Sequence, residues 1–350
     1  MNLTLSNASD RNSGGIIGIA EENTIITNCV YLGDMKNVAS ANVGGVVGSA
    51  YNTTIEKCYN YGVIASSGEA LGGIVGYLAD SSSVNQCINF ASISGTSANG
   101  KIGGIVGNVS NGLIVSECVN YATVSGTASV GGIVGNAVNA TSDEVKNIFT
   151  ISTSKNHGAI KATGNYLGGI VGNATASRDR IDTIGCVNFG DVTGENSLAV
   201  GGIAGISKNS VSANLNVVDN CVNNGKIYGL GHVGGINGTS TRAYVTNSVN
   251  NGEVLGVNTS TGVGISGISG WTTDTSKIES SANNGNVKGY AKVGGISGVC
   301  GKATYVNTTD EGKICTNSGE ITLYSAETPT TLETGTTENN YVGLIKGQQL

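Results

Sequence analysis

The sequence predicts an all-β chain: a right-handed parallel β-helix, or β-solenoid, of about eleven coils with three short strands per coil. Three observations predict it: two short signatures recur together at a common spacing, and the composition disfavours helices. The first signature reads Val-Gly-Gly-Ile-Val-Gly with variants. Its leading glycine falls at Gly14, Gly44, Gly72, Gly103, Gly131, Gly168, Gly201, Gly234 and Gly294; Ser266 fills the slot in the ninth copy, and a degenerate last copy begins at Gly343. The second, Cys/Ser-x-Asn-x-Gly-x-Val/Ile, follows each of the first ten copies and starts at Cys29, Cys58, Cys87, Cys118, Ser154, Cys186, Cys221, Ser248, Ser281 and Cys315. Glycine is the third observation: 56 of 350 residues, each costing roughly 1 kcal/mol relative to alanine inside a helix.

The elements follow in order around one coil. The first strand is the Gly-Gly-Ile-Val-Gly run itself. The second ends at the Cys, as in Thr54-Ile55-Glu56-Lys57-Cys58. The third carries an apolar residue six places past the Cys: Met35, Ile64, Ile93, Val124, Ile160, Val192, Ile227, Val254, Val287 and Ile321. Turn residues bound each run at strand length. Stacked coils would pair every strand with its copy ~4.8 Å away. Residues 1–350 then form a single array, with loop insertions near 136–150, 206–217 and 322–340, where the period stretches.

The asparagine two places after the Cys is the clearest positional signal: Asn60, Asn89, Asn120, Asn156, Asn188, Asn223, Asn250, Asn283 and Asn317, with Tyr31 in the first copy. A stacked column lets each side-chain amide donate to the next along the axis. Asparagine also tolerates left-handed φ, which the corner is expected to require, and the glycine two places on is expected to serve the same corner.

At these residues the chain resembles the GLUG-motif repeat family of bacterial surface proteins, whose motif is the Gly-Gly-[Ile/Leu]-Val-Gly strand repeated here from about residue 14 to residue 347. The resemblance implies a β-solenoid segment of a large secreted or wall-attached protein. Adhesins, and the non-catalytic parts of some IgA-cleaving peptidases, are built that way. No peptidase signature and no Leu-Pro-x-Thr-Gly sorting motif occurs. The role the resemblance implies is therefore a stalk or adhesive segment, extracellular or at the cell surface.

Net charge is −6, and Lys and Arg are scattered, so the electrostatic footprint of a nucleic-acid binder is missing. No apolar run reaches the ~18–20 residues of a membrane-spanning helix. The opening Met-Asn-Leu-Thr-Leu-Ser-Asn lacks a basic and an apolar signal region, so an extracellular setting requires a removed leader or a longer parent chain. An interior segment is expected, or one that self-associates end to end: residues 2–6 read as the third strand of a truncated coil, and 343–347 as the first strand of one that does not continue. The stretch 322–340 is the best candidate for a C-terminal lid.

Residues that could carry chemistry thin out on inspection. Seven of the eight cysteines occupy the repeat position, where Ser154, Ser248 and Ser281 alternate with them. That interchange reads as a small, inward packing residue, reduced and buried, since parallel side chains bridge poorly. No Cys-x-x-Cys occurs, and the only histidines are His157 and His232, so no metal site is expected. Gly-x-Gly-x-x-Gly at 229–234 and 262–267 lies within the repeat glycines, without strand-turn-helix context, and no cofactor is expected. Asp34, Asp191, Glu253 and Glu320 share one repeat position, but Asp34 and Asp191 lie five coils apart, ~24 Å, too far for a glycosidase pair. Asp143/Glu144 and Asp179/Asp182 are expected to be solvated loop residues. No catalytic residue is assigned.

One stripe remains: Tyr61, Phe90, Tyr121, His157 and Phe189 follow the column asparagine in five successive copies, giving way to Asn224, Asn251, Asn284 and Ser318. Such a stripe stacks on sugar rings or another chain, or else packs over the corner and fills space. The leading functional reading is a non-enzymatic structural or adhesive segment of a bacterial surface protein that meets a host or cell-surface glycan or protein. A carbohydrate-binding module using the stripe is the alternative, and a β-helix glycan-cleaving enzyme the second.

Overall fold

The computed structural model describes residues 11–139, 148–211, 213–260, 262–290, 292–301, 304–307 and 312–324, with four short strands beyond residue 328. The described chain is all β, a parallel β-solenoid with five sheets. One coil shows the layout: Asn42–Gly44, Val47–Tyr51, Thr54–Glu56, Tyr59–Asn60 and Ile64–Ser66. Each strand pairs in parallel with its counterpart in the coils before and after, in register, as in Leu71 between Val43 and Ile102. We call these the first to fifth sheets, in chain order around the coil.

Five strands per coil replace the three expected. The Gly-Gly-Ile-Val-Gly run bends at Gly45–Val46 and so contributes to two sheets. The chain turns again at the cysteine, which separates the third sheet from the two-residue strand holding the asparagine. Among the described residues, ten coils carry all five strands, joined by nine coil-to-coil pairings, rather than the eleven expected. The last glycine signature adds strands to the first and second sheets only, where Asn340–Gly343 and Lys346–Gln349 pair with the tenth coil. At ~4.8 Å per coil the stack is roughly 45 Å long.

Of the expected insertions, the one near 206–217 lengthens a second-sheet strand to Ala204–Asn209 before the third sheet resumes at Asn216–Asp219. The stretch 322–340 is not a plain loop: Ile321–Tyr324 pairs antiparallel with Pro329–Thr331, and Thr336–Thr337 with Asn340–Gly343. Residues 140–147, with Asp143 and Glu144, and the expected strand at residues 2–6 lie outside the described residues. Among the described residues no helix is long and apolar enough to cross a membrane.

The interior holds two apolar columns. One lies between the second and third sheets and includes Val47, Ala50, Ile55 and Cys58 of the second coil. The other lies between the first and fifth sheets and includes Val43 and Ile64. β-Branched side chains dominate both because they suit a pleated surface at this spacing. Each fully buried Val or Ile contributes roughly 1.5–3 kcal/mol. Where the two columns meet runs the file of buried asparagines.

Candidate functional site

Three columns of side chains run the length of the stack and hold nearly every residue the sequence singles out. The inner one is the asparagine column, fully buried from Asn60 to Asn283. Burying a primary amide is costly unless every donor and acceptor is met. Here they are. Asn60 Nδ2 donates to Asn89 Oδ1 at 2.7 Å, and the bond repeats through Asn120, Asn156, Asn188, Asn223, Asn250 and Asn283 to Asn317 at 2.6–2.8 Å. The second amide hydrogen goes to the carbonyl two residues on, as from Asn120 to Ala122 at 2.8 Å. The first coil's Tyr31 ends the file with a buried ring.

The column explains the glycine signature. A Cβ on Gly104 would lie 2.5 Å from Asn120 Cγ and 2.2 Å from the Gly132 carbonyl oxygen. The second glycine of each Gly-Gly pair therefore makes the space its asparagine fills, and the two signatures are halves of one contact. The left-handed corner, however, is not at the asparagine. It falls one residue before the Cys/Ser, at Asn28, Lys57, Gln86, Glu117, Thr153, Gly185, Asn220, Asn247 and Ser280, with φ between 47° and 63°. The side chain at this corner varies because it points to solvent. The glycine after the asparagine serves clearance, since a Cβ on Gly62 would sit 1.5 Å from the Gly33 carbonyl oxygen.

The second column is Cys/Ser. All eight cysteines are free thiols, and all but Cys29 are buried. Their interchange with serine has a chemical reason beyond size. The Cys58 N–H donates to Cys87 Sγ at 3.4 Å, and where serine stands the Cys118 N–H donates to Ser154 Oγ at 3.1 Å and Cys221 N–H to Ser248 Oγ at 3.2 Å. The same atom donates onward to the carbonyl two residues back, as from Cys58 Sγ to Glu56. The hydrogen-bonded Cys87 thiol, together with burial, pushes Cys58 far above the usual thiol range. Burial, then the neighbouring Cys186, does the same to Cys221. Cys58 and Cys221 are therefore held as protonated groups packed inside the coil.

The third column is the outer stripe. Tyr61, Phe90, Tyr121, His157 and Phe189 are brought together as one face-to-face stack, with ring centroids 4.7, 5.3, 4.9 and 4.6 Å apart and planes within 15°. The rings are exposed, yet their faces are turned on one another. What solvent meets is a row of ring edges, so the π-faces a sugar would need are occupied within the stack. Beyond Phe189 the column continues as an exposed amide ladder, Asn284 to Asn251 to Asn224, each Nδ2 to the preceding Oδ1 at 2.9 Å.

The acids at the shared position serve the backbone. Asp34 Oδ1 accepts from the Val63 N–H at 2.9 Å and Asp191 Oδ1 from the Lys226 N–H at 2.9 Å. The Lys36 ammonium at 2.8 Å, then the Val63 N–H, holds the Asp34 carboxyl below its ordinary range. Glu253 pairs with Lys288 at 2.6 Å. Asn286 takes the same role toward the Glu320 N–H, and that Asp/Asn alternation was the legible signal for it. Asp179 and Asp182 are not solvated: both are buried, Asp182 in an ion pair with Arg180 Nε at 2.8 Å. Burial, opposed by Arg180, raises the Asp182 carboxyl. His232, unassigned from sequence, is enclosed edge-on against Trp271 with centroids 4.4 Å apart, and its Nδ1 accepts from the Gly264 N–H at 3.1 Å. Among the described residues no three His, Cys, Asp or Glu side chains gather as a metal site.

No protein-family model and no curated protein matches the chain. A solved structure, described as a putative immunoglobulin A1 protease from Bacteroides ovatus, aligns at 22% identity and a TM-score of 0.41 over 58% of this chain and 57% of its own. The chain thus spans just over half the length of that structure.

Proposed function

We propose that the chain is a non-enzymatic, extracellular structural or adhesive segment of a bacterial surface protein, a stiff spacer in the manner of the GLUG-motif repeats it resembles. The inner asparagine ladder carries this reading: eight consecutive side-chain bonds of 2.6–2.8 Å tie nine coils along one axis. A load-bearing rod needs such continuity. The disposition of the acids supports the same reading, since Asp34, Asp191 and Glu253 are each spent on a backbone N–H or a lysine.

Single-molecule pulling between the termini tests the proposal. The expected trace is a series of separate force peaks, each releasing about 100 Å, the contour length of one coil of roughly thirty residues. Smooth extension under small load would overturn the spacer reading. Release of reducing ends from a panel of surface polysaccharides would overturn the non-enzymatic one.

A further inference from the structure

The fourth sheet turns outward a tape of two columns, and the larger is the stripe of Leu32, Tyr61, Phe90, Tyr121, His157 and Phe189. Leu32 is 72% exposed, Tyr61 50%, Tyr121 49% and Phe189 45%. Beside it, two residues earlier in each coil, runs a mainly aliphatic column in which Tyr59, Ile88, Val119 and Val187 are half-buried and Lys155 is the one charge of coils two to six. At roughly 200 Å² of surface per aromatic side chain, the tape presents on the order of 500 Å² per copy. That is at the upper end for the largest apolar patch on a monomer.

We infer that this tape is a lateral self-association surface, on which a second copy of the chain packs antiparallel about a two-fold axis near Tyr121. Three considerations select that occupant. Two tapes bury about 1,000 Å² together, the threshold for a specific but weak interface. The row of ring edges repeats at the coil spacing, 4.6–5.3 Å; another copy shares that spacing over all five rings, whereas a partner of different period falls out of register within a few coils. Charge sets the direction. Two tapes packed parallel would set Lys155 of both copies at the same level of the stack, two ammonium groups side by side, with cost from like charges. Packed antiparallel, like columns meet: coil five meets coil three, and Lys155 lies over Ile88 with its stem on apolar surface, two coils away from the Lys155 of the other copy. Tyr121 then meets Tyr121 of the second copy, and Tyr61 meets Phe189. The inference rests on the outer tape alone and is independent of the spacer reading, which stands on the inner ladder.

Sedimentation of the whole chain from about 1 μM to about 1 mM, the range of weak interfaces, tests the association. A reversible monomer–dimer equilibrium is expected. The Phe90→Ser/Tyr121→Ser pair should shift it at least tenfold toward monomer in a chain that circular dichroism shows still folded. Direction is read by a thiol-to-thiol crosslinker no longer than the ~10 Å between packed sheets. Tyr121→Cys should link to itself. Tyr61→Cys should not, because its counterpart lies about four coils, ~19 Å, away, but should link to Phe189→Cys when the two are mixed. A parent chain that stays monomeric throughout overturns the association, and self-linking at Tyr61→Cys overturns the antiparallel arrangement.

Discussion

Removing one rung from the middle of the inner ladder isolates its contribution. Asn120 is fully buried. Its Nδ2 donates to Ala122 O and to Asn156 Oδ1, both at 2.8 Å, and its Oδ1 accepts from Asn89 Nδ2 at 2.8 Å and from the Ala122 N–H at 3.3 Å. Asn120→Ala therefore strands Asn89 Nδ2 and Asn156 Oδ1 in the interior and leaves both backbone groups of half-buried Ala122 without their partner. At a net ~1 kcal/mol per bond the expected loss is roughly 4 kcal/mol, more if the cavity admits no water. Because neighbouring coils stabilise one another, the loss weakens the whole stack rather than one coil. Urea unfolding followed by circular dichroism should show a much lower midpoint with an unchanged slope. Asn251→Ala in the exposed outer ladder is the control and should cost under ~0.5 kcal/mol. Asn120→Asp adds a second test. A carboxylate oxygen facing Ala122 O and Asn156 Oδ1 sets acceptor against acceptor, so its folded-state pKa must rise. That variant should be most stable below about pH 4, the carboxyl's unfolded value, and lose stability as pH rises through the raised folded value. An Asn120→Ala midpoint equal to the parent's, or equal to that of Asn251→Ala, would refute the ladder argument.

Three further outcomes follow from the same geometry. Native protein should expose at most one readily titratable thiol, Cys29, and all eight only in denaturant; rapid native reaction of four or more would contradict the buried column. Gly104→Ala should destabilise by several kcal/mol because its Cβ would fall 2.5 Å from Asn120 Cγ, whereas Gly262→Ala, whose nearest neighbour lies 3.6 Å away, should be near neutral by thermal unfolding. Burial, then the charge of Lys292, pushes His232 down to about 4 from its ordinary 6.5. The folded chain therefore resists protonation, and stability present above about pH 6.5 is lost as pH falls toward 4, by roughly 3 kcal/mol; His232→Gln should flatten that slope, and an unchanged slope would remove His232 as its cause.

The repeat was legible because every coil poses the same steric problem and answers it with the same residues. Gly104, Asn120 and Cys118 recur by type at fixed offsets, and offsets alone give strand pairing and register. The bends were harder. Gly45–Val46 looks from sequence like the middle of a strand, because glycine for clearance and glycine for turning are the same letter. The left-handed corner was placed on Asn60 for a related reason: its asparagine is invariant through nine coils, while the corner itself is Lys57, Gln86, Glu117 or Thr153, which carry no type signal. Cys58 and Ser154 were legible as small and inward. Their role in accepting a neighbouring coil's N–H was not, since sequence does not show which amide faces which side chain. Asp182 reads as solvated because it follows the charged run Arg178-Asp179-Arg180, and only the third dimension shows its pairing with Arg180 and the wall around it.

The direction of the inner ladder has a consequence for how such a chain changes over generations. Each coil from Asn89 to Asn283 receives one amide hydrogen bond from the coil before and passes one, the same way round, to the coil after. A coil is thus a complete unit with one input and one output. Copying a stretch such as 89–119 or deleting it leaves no buried donor without an acceptor, because Asn60, Asn89 and Asn120 offer identical ends to whatever follows. Length can then drift by whole coils through unequal recombination, with the fold neutral to the change.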